Sequence, residues 1–138
     1  MEFKYLTYEK EDVIKLINEI FNKNFNSDFI LMDNQKVLLL KGNDKVIGTT
    51  LITEKYDPFK KCKTYYLDYL CIRREYEHKG LGTLLLKKVL EIAKDNNIDF
   101  IELTSNKNRE RARKMYLKFG MKIRDTDIFV KETNNENI

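Results

Sequence analysis

The spacing of apolar residues changes several times along this chain, and each change marks an element. Residues 3–6 (Phe-Lys-Tyr-Leu) predict a short first strand. Val13, Leu16, Ile17, Ile20 and Phe21 then recur every three or four positions within a charged frame, predicting an amphipathic helix over 9–22. Residues 22–34 are rich in Asn and Asp, with Phe25, Phe29, Ile30 and Leu31 interspersed, and read as a loop carrying a short helix. Two β-rich runs, 37–41 and 45–54, flank Gly42-Asn43-Asp44, which is a hairpin signal. Residues 56–61 hold Pro58 and read as a connecting loop, and the aromatic, β-branched run 64–72 predicts a third long strand.

From Gly80 onward the period becomes helical. Leu81, Leu85, Val89 and Ile92 share one face, widened by Leu84 and Leu86, while Lys87, Lys88, Glu91 and Lys94 take the other. Asp95-Asn96-Asn97 stops that helix. A short strand is expected over 98–103. A helix follows over 108–119, with Ala112, Met115, Tyr116 and Phe119 on one stripe and Gly120 just past its end. Residues 121–131 are read as a final strand or hairpin bent at Asp125-Thr126-Asp127, and the polar end 133–138 is expected to fray. The order β-α-β-β-β-α-β-α-β predicts an α/β fold built on a mixed sheet.

Length and composition narrow the field. With 138 residues and no linker or repeat, the chain is expected to form one domain over 1–132. Eight Phe and eight Tyr supply a core, which argues against a disordered chain. Lys and Arg number 26 against 22 Asp and Glu, but this basic excess is spread along the chain, so no nucleic-acid partner is expected. Apolar runs reach only four residues against the ~20 needed to span a bilayer, so no membrane partner is expected either. Cys62 and Cys71 stand nine apart with no CxxC spacing, which predicts no metal site and a reduced, cytoplasmic setting.

The chemistry concentrates in residues 68–83, where a strand ends, a loop with two glycines turns, and a helix begins. The first N–H groups of a helix lack internal partners and carry the positive end of its dipole. Gly80 and Gly82 let backbone approach an anion, and Lys79, Arg73 and Arg74 add positive charge nearby. A tight strand-to-helix turn is the plainer reading of the same residues. The spacing fits neither GxxxxGK[ST] nor GxGxxG, which argues against a P-loop or Rossmann site.

What the segment resembles is the acyl-CoA loop of the GNAT N-acetyltransferases, where a strand ending L-x-V is followed by Y-R-G-x-G-I-G and a helix. The matching residues are Leu70-Cys71-Ile72 and Tyr76-Glu77-His78-Lys79-Gly80-Leu81-Gly82. A second match covers the family's S-N-x-x-R-x-x-A-x-x-F-Y-x-K-x-G-F helix: Ser105-Asn106, Arg109, Ala112, Met115-Tyr116, Lys118 and Gly120-Met121. The departures are Glu77 for Arg or Gln, His78 for Gly and Met121 for Phe.

The resemblance implies a central mixed, mostly antiparallel sheet flanked by helices, with acetyl-CoA as co-substrate and no metal. It implies that Leu70, Cys71 and Ile72 meet the pantetheine arm through backbone, on a strand that splays from its neighbour. It further implies that His78, Lys79, Gly80, Leu81, Gly82 and Thr83 surround the pyrophosphate, with Asn106, Arg109 and Arg113 also reaching the cofactor. Tyr116 is the candidate acid for the departing thiolate, or else a core tyrosine on its stripe. Asp68 is the candidate base, or else a strand carboxylate paired with a nearby cation, and Glu54 is a second candidate. Cys71 is read as core filling rather than nucleophile.

The expected acceptor pocket comes from the first helix, residues 22–34 and the loop 55–62, with Tyr56, Phe59, Tyr65 and Tyr66 lining it or packing beneath it. The function so implied is transfer of an acetyl group to a primary amine by direct attack in a ternary complex, the acceptor being a small molecule or a protein amine. A catalytically silent acyl-CoA-binding regulator is the alternative, and a homodimer is left open.

Overall fold

The computed structural model describes residues 1–134. Five strands, β1 (Glu2–Tyr5), β2 (Gln35–Gly42), β3 (Lys45–Asp57), β4 (Cys62–Ile72) and β5 (Phe100–Leu103), form one sheet in sequence order. The first four pair antiparallel and β5 joins β4 in parallel. The parallel join needs a crossover, and α2 (Leu81–Asp95) supplies it. The other helices are α1 (Lys10–Phe21) and α3 (Glu110–Lys118).

Turn chemistry accounts for both hairpins. Asn43 and Asp44 take φ of 51° and 60° between the paired Gly42 and Lys45, the left-handed pair that a two-residue hairpin requires. The expected loop narrows to a turn over 58–61. The Asp57 carboxylate accepts hydrogen bonds from the Phe59 and Lys60 N–H groups at 3.0 and 3.1 Å, closing a tight turn that lets β3 and β4 run on to it.

The sheet has a core on each side. On one side Leu38, Ile52, Leu67 and Leu70 meet Leu85, Leu86, Val89 and Ile92 of α2 and Tyr116 of α3. On the other, Val37, Leu39, Val46 and Cys71 meet Val13, Leu16 and Ile17 of α1. Leu67 and Leu70 lie on the same side although three residues separate them, because β4 carries a bulge. Asp68 pairs with Leu51 and Cys71 with Thr49, so Tyr69 and Leu70 together oppose Thr50. Tyr69 takes φ of 52° there, which puts Asp68 and Tyr69 both on the α1 side.

Two expectations fail. No helix forms in 22–34: left-handed Asn22 ends α1, and the Asn18 side chain bonds both the N–H and the C=O of Phe25, holding that segment irregular. Residues 121–134 form no strand either. Met121 packs against the α2-side core, but Ile128, Phe129 and Val130 are exposed, Phe129 at 94%. A strand needs a partner as well as β-branched residues, and the chain turns at Arg124–Thr126 while Arg124 pairs with Glu102 of β5. Most of the tail expected to fray, residues 135–138, lies outside the described residues.

Candidate active site

Pairing between β4 and β5 stops at Leu67↔Leu103, whereas β4 continues five residues further to Ile72. The free edge so created opens a cleft of about 660 Å³ between β4, the start of α2 and α3. One end is built by His78, Gly80, Leu81, Gly82 and Thr83, and Leu70, Cys71, Ile72, Arg109 and Tyr116 also line it.

The loop end has the backbone geometry that can hold an anion. A single helical turn over Arg74–Tyr76 leads out of β4, and then His78 and Gly80 adopt positive φ, 63° and 74°. No side chain caps α2, and the first internal bond of that helix runs from the Leu84 N–H to the Gly80 carbonyl at 3.1 Å. The three preceding N–H donors belong to Leu81, Gly82 and Thr83, all of which line the cleft. A Cβ at Gly80 would meet nothing within 4 Å, so the backbone stands open toward the cavity. Gly82 serves differently, since a Cβ there would come within 2.7 Å of the Met115 sulfur. Its small size lets α2 pass α3.

Tyr116 of α3 also lines the cleft and is buried. Desolvation pushes its phenol pKa up, Arg109 partly opposes that, and the neighbouring Cys71 adds a small upward push. The Arg109 guanidinium lies 5.0 Å from the ring centre of Phe21, tying α3 to the end of α1. Phe21 and Phe25 meet Tyr69 edge to face at 5.5 and 5.8 Å. This aromatic group lies beside the bulge, while Tyr56 and Phe59 are exposed at the far hairpin and Tyr65 is buried in the α2-side core.

Several charged or polar residues named from sequence point elsewhere. Arg73 donates from Nε to the Val46 carbonyl at 3.0 Å, and Arg74 pairs with Glu19 of α1. Lys79 sits over the Tyr76 ring, Asn106 accepts from the Asn108 N–H, and Arg113 donates to the Lys107 carbonyl. None of these five lines the cleft. Asp68 is also outside its lining, on the α1 side of the bulge. Burial raises the Asp68 pKa above the ordinary 3.8, and Lys55 opposes the rise. Asn108, Glu110 and Arg111 do line the cleft and were not singled out from sequence, as were not the lining roles of Ala112 and Met115. Residues 108, 111, 112 and 115 recur at helical spacing, which is the signal that could have found them.

The match to the Acetyltransferase (GNAT) family model covers residues 4–121. The chain belongs to that family. It is accordingly an acyltransferase of a family that uses acetyl-CoA as co-substrate and acetylates amine acceptors. The fold is shared with distant structures. A ribosomal-protein-alanine N-acetyltransferase from Brucella melitensis biovar Abortus 2308 superposes with a TM-score of 0.81 at 15% identity, covering 96% of this chain and 99% of that one. An aminoglycoside acetyltransferase from an uncultured soil metagenomic sample gives 0.81 at 14% identity, covering 96% and 95%. A "possible acetyltransferase" from Clostridium difficile 630 gives 0.78 at 20% identity, covering 96% and 97%. Among the described residues no helix of this acetyltransferase is long and apolar enough to cross a membrane.

The two thiols of this acetyltransferase differ sharply in environment. Cys71 is buried, and desolvation pushes its pKa up to about 12, with Arg109 and Arg73 opposing; Cys62 is partly exposed. The thiolate is the reactive form. Iodoacetamide at neutral pH should therefore modify Cys62 in the folded protein and leave Cys71 intact, as read by peptide mass spectrometry. Rapid labelling of Cys71 would contradict its assignment as a neutral packing residue.

Proposed function

We propose that this acetyltransferase moves the acetyl group of acetyl-CoA to a primary amine by direct attack within one cleft. The observation that carries the reading is that a single cavity joins the uncapped start of α2 to the buried phenol of Tyr116. The residues present fit the co-substrate. Free N–H donors at Leu81, Gly82 and Thr83 and the open face of Gly80 suit a pyrophosphate, and the unpaired edge of β4 at Leu70–Ile72 suits the amides of a pantetheine arm. Acetyl-CoA supplies a thioester whose carbonyl accepts a nucleophile and whose sulfur can leave.

The chain's own residues then divide the work. A β4 N–H beside the bulge serves as donor to the thioester oxygen as negative charge builds there. Tyr116, kept protonated by its raised pKa, gives its proton to the sulfur as the carbon–sulfur bond breaks. Asp68 takes a proton from the bound ammonium, through water because its carboxylate stands outside the cleft lining, and the neutral amine so formed attacks the carbonyl. Phe21, Phe25 and Tyr69 form the acceptor-side wall.

The test is thiol release from acetyl-CoA in the presence of a panel of small amines and peptide N-termini. Release with at least one amine is expected. Acetyl-CoA binding without release for any amine would favour a silent acyl-CoA binder. The pH profile adds a check on Asp68, which acts only as carboxylate, so activity should fall as pH drops through its raised pKa. Asp68→Asn should lower kcat/KM and abolish that acid limb; an unchanged limb would place the base elsewhere.

A further inference from the structure

Glu77 is an acid at the mouth of a site built for anions, and the structure gives it a partner. Its Oε2 lies 3.6 Å from Nη1 of Arg111 in the first turn of α3. The pair runs from the loop before α2 to the opposite helix, and both residues line the cleft. Both side chains are wet, Arg111 at 63% exposure and Glu77 at 34%, so the contact is cheap to break. The cations nearer in sequence do not line the cleft: Arg73 donates to the Val46 carbonyl of β3, Arg74 pairs with Glu19 of α1 and Lys79 sits over Tyr76. Arg109, the other cation in the lining, is turned onto Phe21. Arg111 is thus the guanidinium held beside the loop.

We infer that Arg111 is a phosphate-contacting residue for the co-substrate, and that Glu77 holds it in place until binding exchanges the carboxylate for a phosphoryl group. The inference rests on the proposed acetyl-CoA reading of the cleft. A guanidinium matches phosphate oxygens in a two-pronged geometry and gains more from a doubly anionic group than from one wet carboxylate. The exchange lets an acid sit in an anion site at little cost, because in the free protein Glu77 keeps Arg111 ordered and in the complex it can turn out to water.

The two halves of this one ion pair should therefore act with opposite sign on affinity. By titration calorimetry, Arg111→Gln should weaken coenzyme A binding roughly tenfold. Glu77→Gln should tighten it about two- to fivefold, since a partner that competes for Arg111 is gone. In the Arg111→Gln background Glu77→Gln should have no further effect. A gain that persists there means simple repulsion, which overturns the exchange.

Repeating the series with dephospho-coenzyme A assigns the phosphate. An equal loss on Arg111→Gln with both ligands identifies the pyrophosphate, and a loss with coenzyme A alone identifies the ribose 3′-phosphate. Unchanged affinity of both variants for both ligands, with native circular dichroism, overturns the inference while leaving the proposed function standing. Failure of the unmodified protein to bind coenzyme A at all overturns both.

Discussion

Tyr116→Phe should lower the single-turnover rate of acetyl transfer about 10²–10⁴-fold, with coenzyme A affinity close to that of the unmodified protein. The phenol is the one proton-bearing side chain that is both buried and part of the cleft lining near β4, apart from the Cys71 thiol. Desolvation raises its pKa, so at neutral pH the hydroxyl carries the proton that a leaving thiolate needs. The ring packs in the α2-side core with Leu70 and Leu86, and phenylalanine keeps that packing. No hydrogen bond ties the phenol oxygen to another described residue, so its removal leaves no partner stranded. The N–H groups proposed to hold the pyrophosphate belong to a different helix, hence the expected split between rate and affinity. Single-turnover measurement is needed because slow product release would mask a chemical defect. A near-native rate would reduce Tyr116 to a core residue.

The largest stability effect is expected at Leu86→Ala. Leu86 is 0% exposed and sits where α2 meets the sheet, among Leu38, Ile52 and Leu67. Truncation removes buried methyl groups and leaves a cavity that close-packed neighbours only partly fill, at about 2–5 kcal/mol. Against a typical domain stability of about 5–15 kcal/mol that is a large share. Urea unfolding should show a lower midpoint at an unchanged slope, and Leu86→Met should lose less than about 1.5 kcal/mol. A loss under about 1 kcal/mol for the alanine variant would mean that α2 is loosely seated. That would bear on the site directly, because α2 presents the anion-binding N–H groups.

Much of the frame is visible in local pattern. The stripe Leu81, Leu85, Val89 and Ile92 is the buried face of α2 apart from its first, half-exposed residue, and Gly80 is the residue before its first turn. Asn43-Asp44 is the hairpin turn that its sequence predicts, whereas residues 22–34 form no helix, since scattered aromatics do not make one when Asn18 holds the backbone of Phe25. The element order and the two family motifs together led to the right fold and to the loop end of the cleft. These are properties of residues close in sequence, where side-chain spacing and backbone preference speak directly.

The rest depended on partners far apart in the chain. The bulge at Tyr69 and Leu70 exists only through pairing with β3, and it puts Tyr69 on the α1 side beside Asp68. Arg73 and Arg74 lie close to the loop in sequence, but β3 and α1 take them up, and the bare Cα of Gly82 makes room for Met115 as well as presenting its N–H to the cleft. The run Ile128–Val130 has strand-like residues but no strand to pair with. Arg111 meets Glu77 across 34 positions, a contact with no local signature. Periodicity along the chain therefore determined the elements and the helix start that can hold an anion. Which charges face that site, and which are spent elsewhere, was decided by packing between elements, because a charged side chain goes to whichever partner the tertiary fold brings within reach.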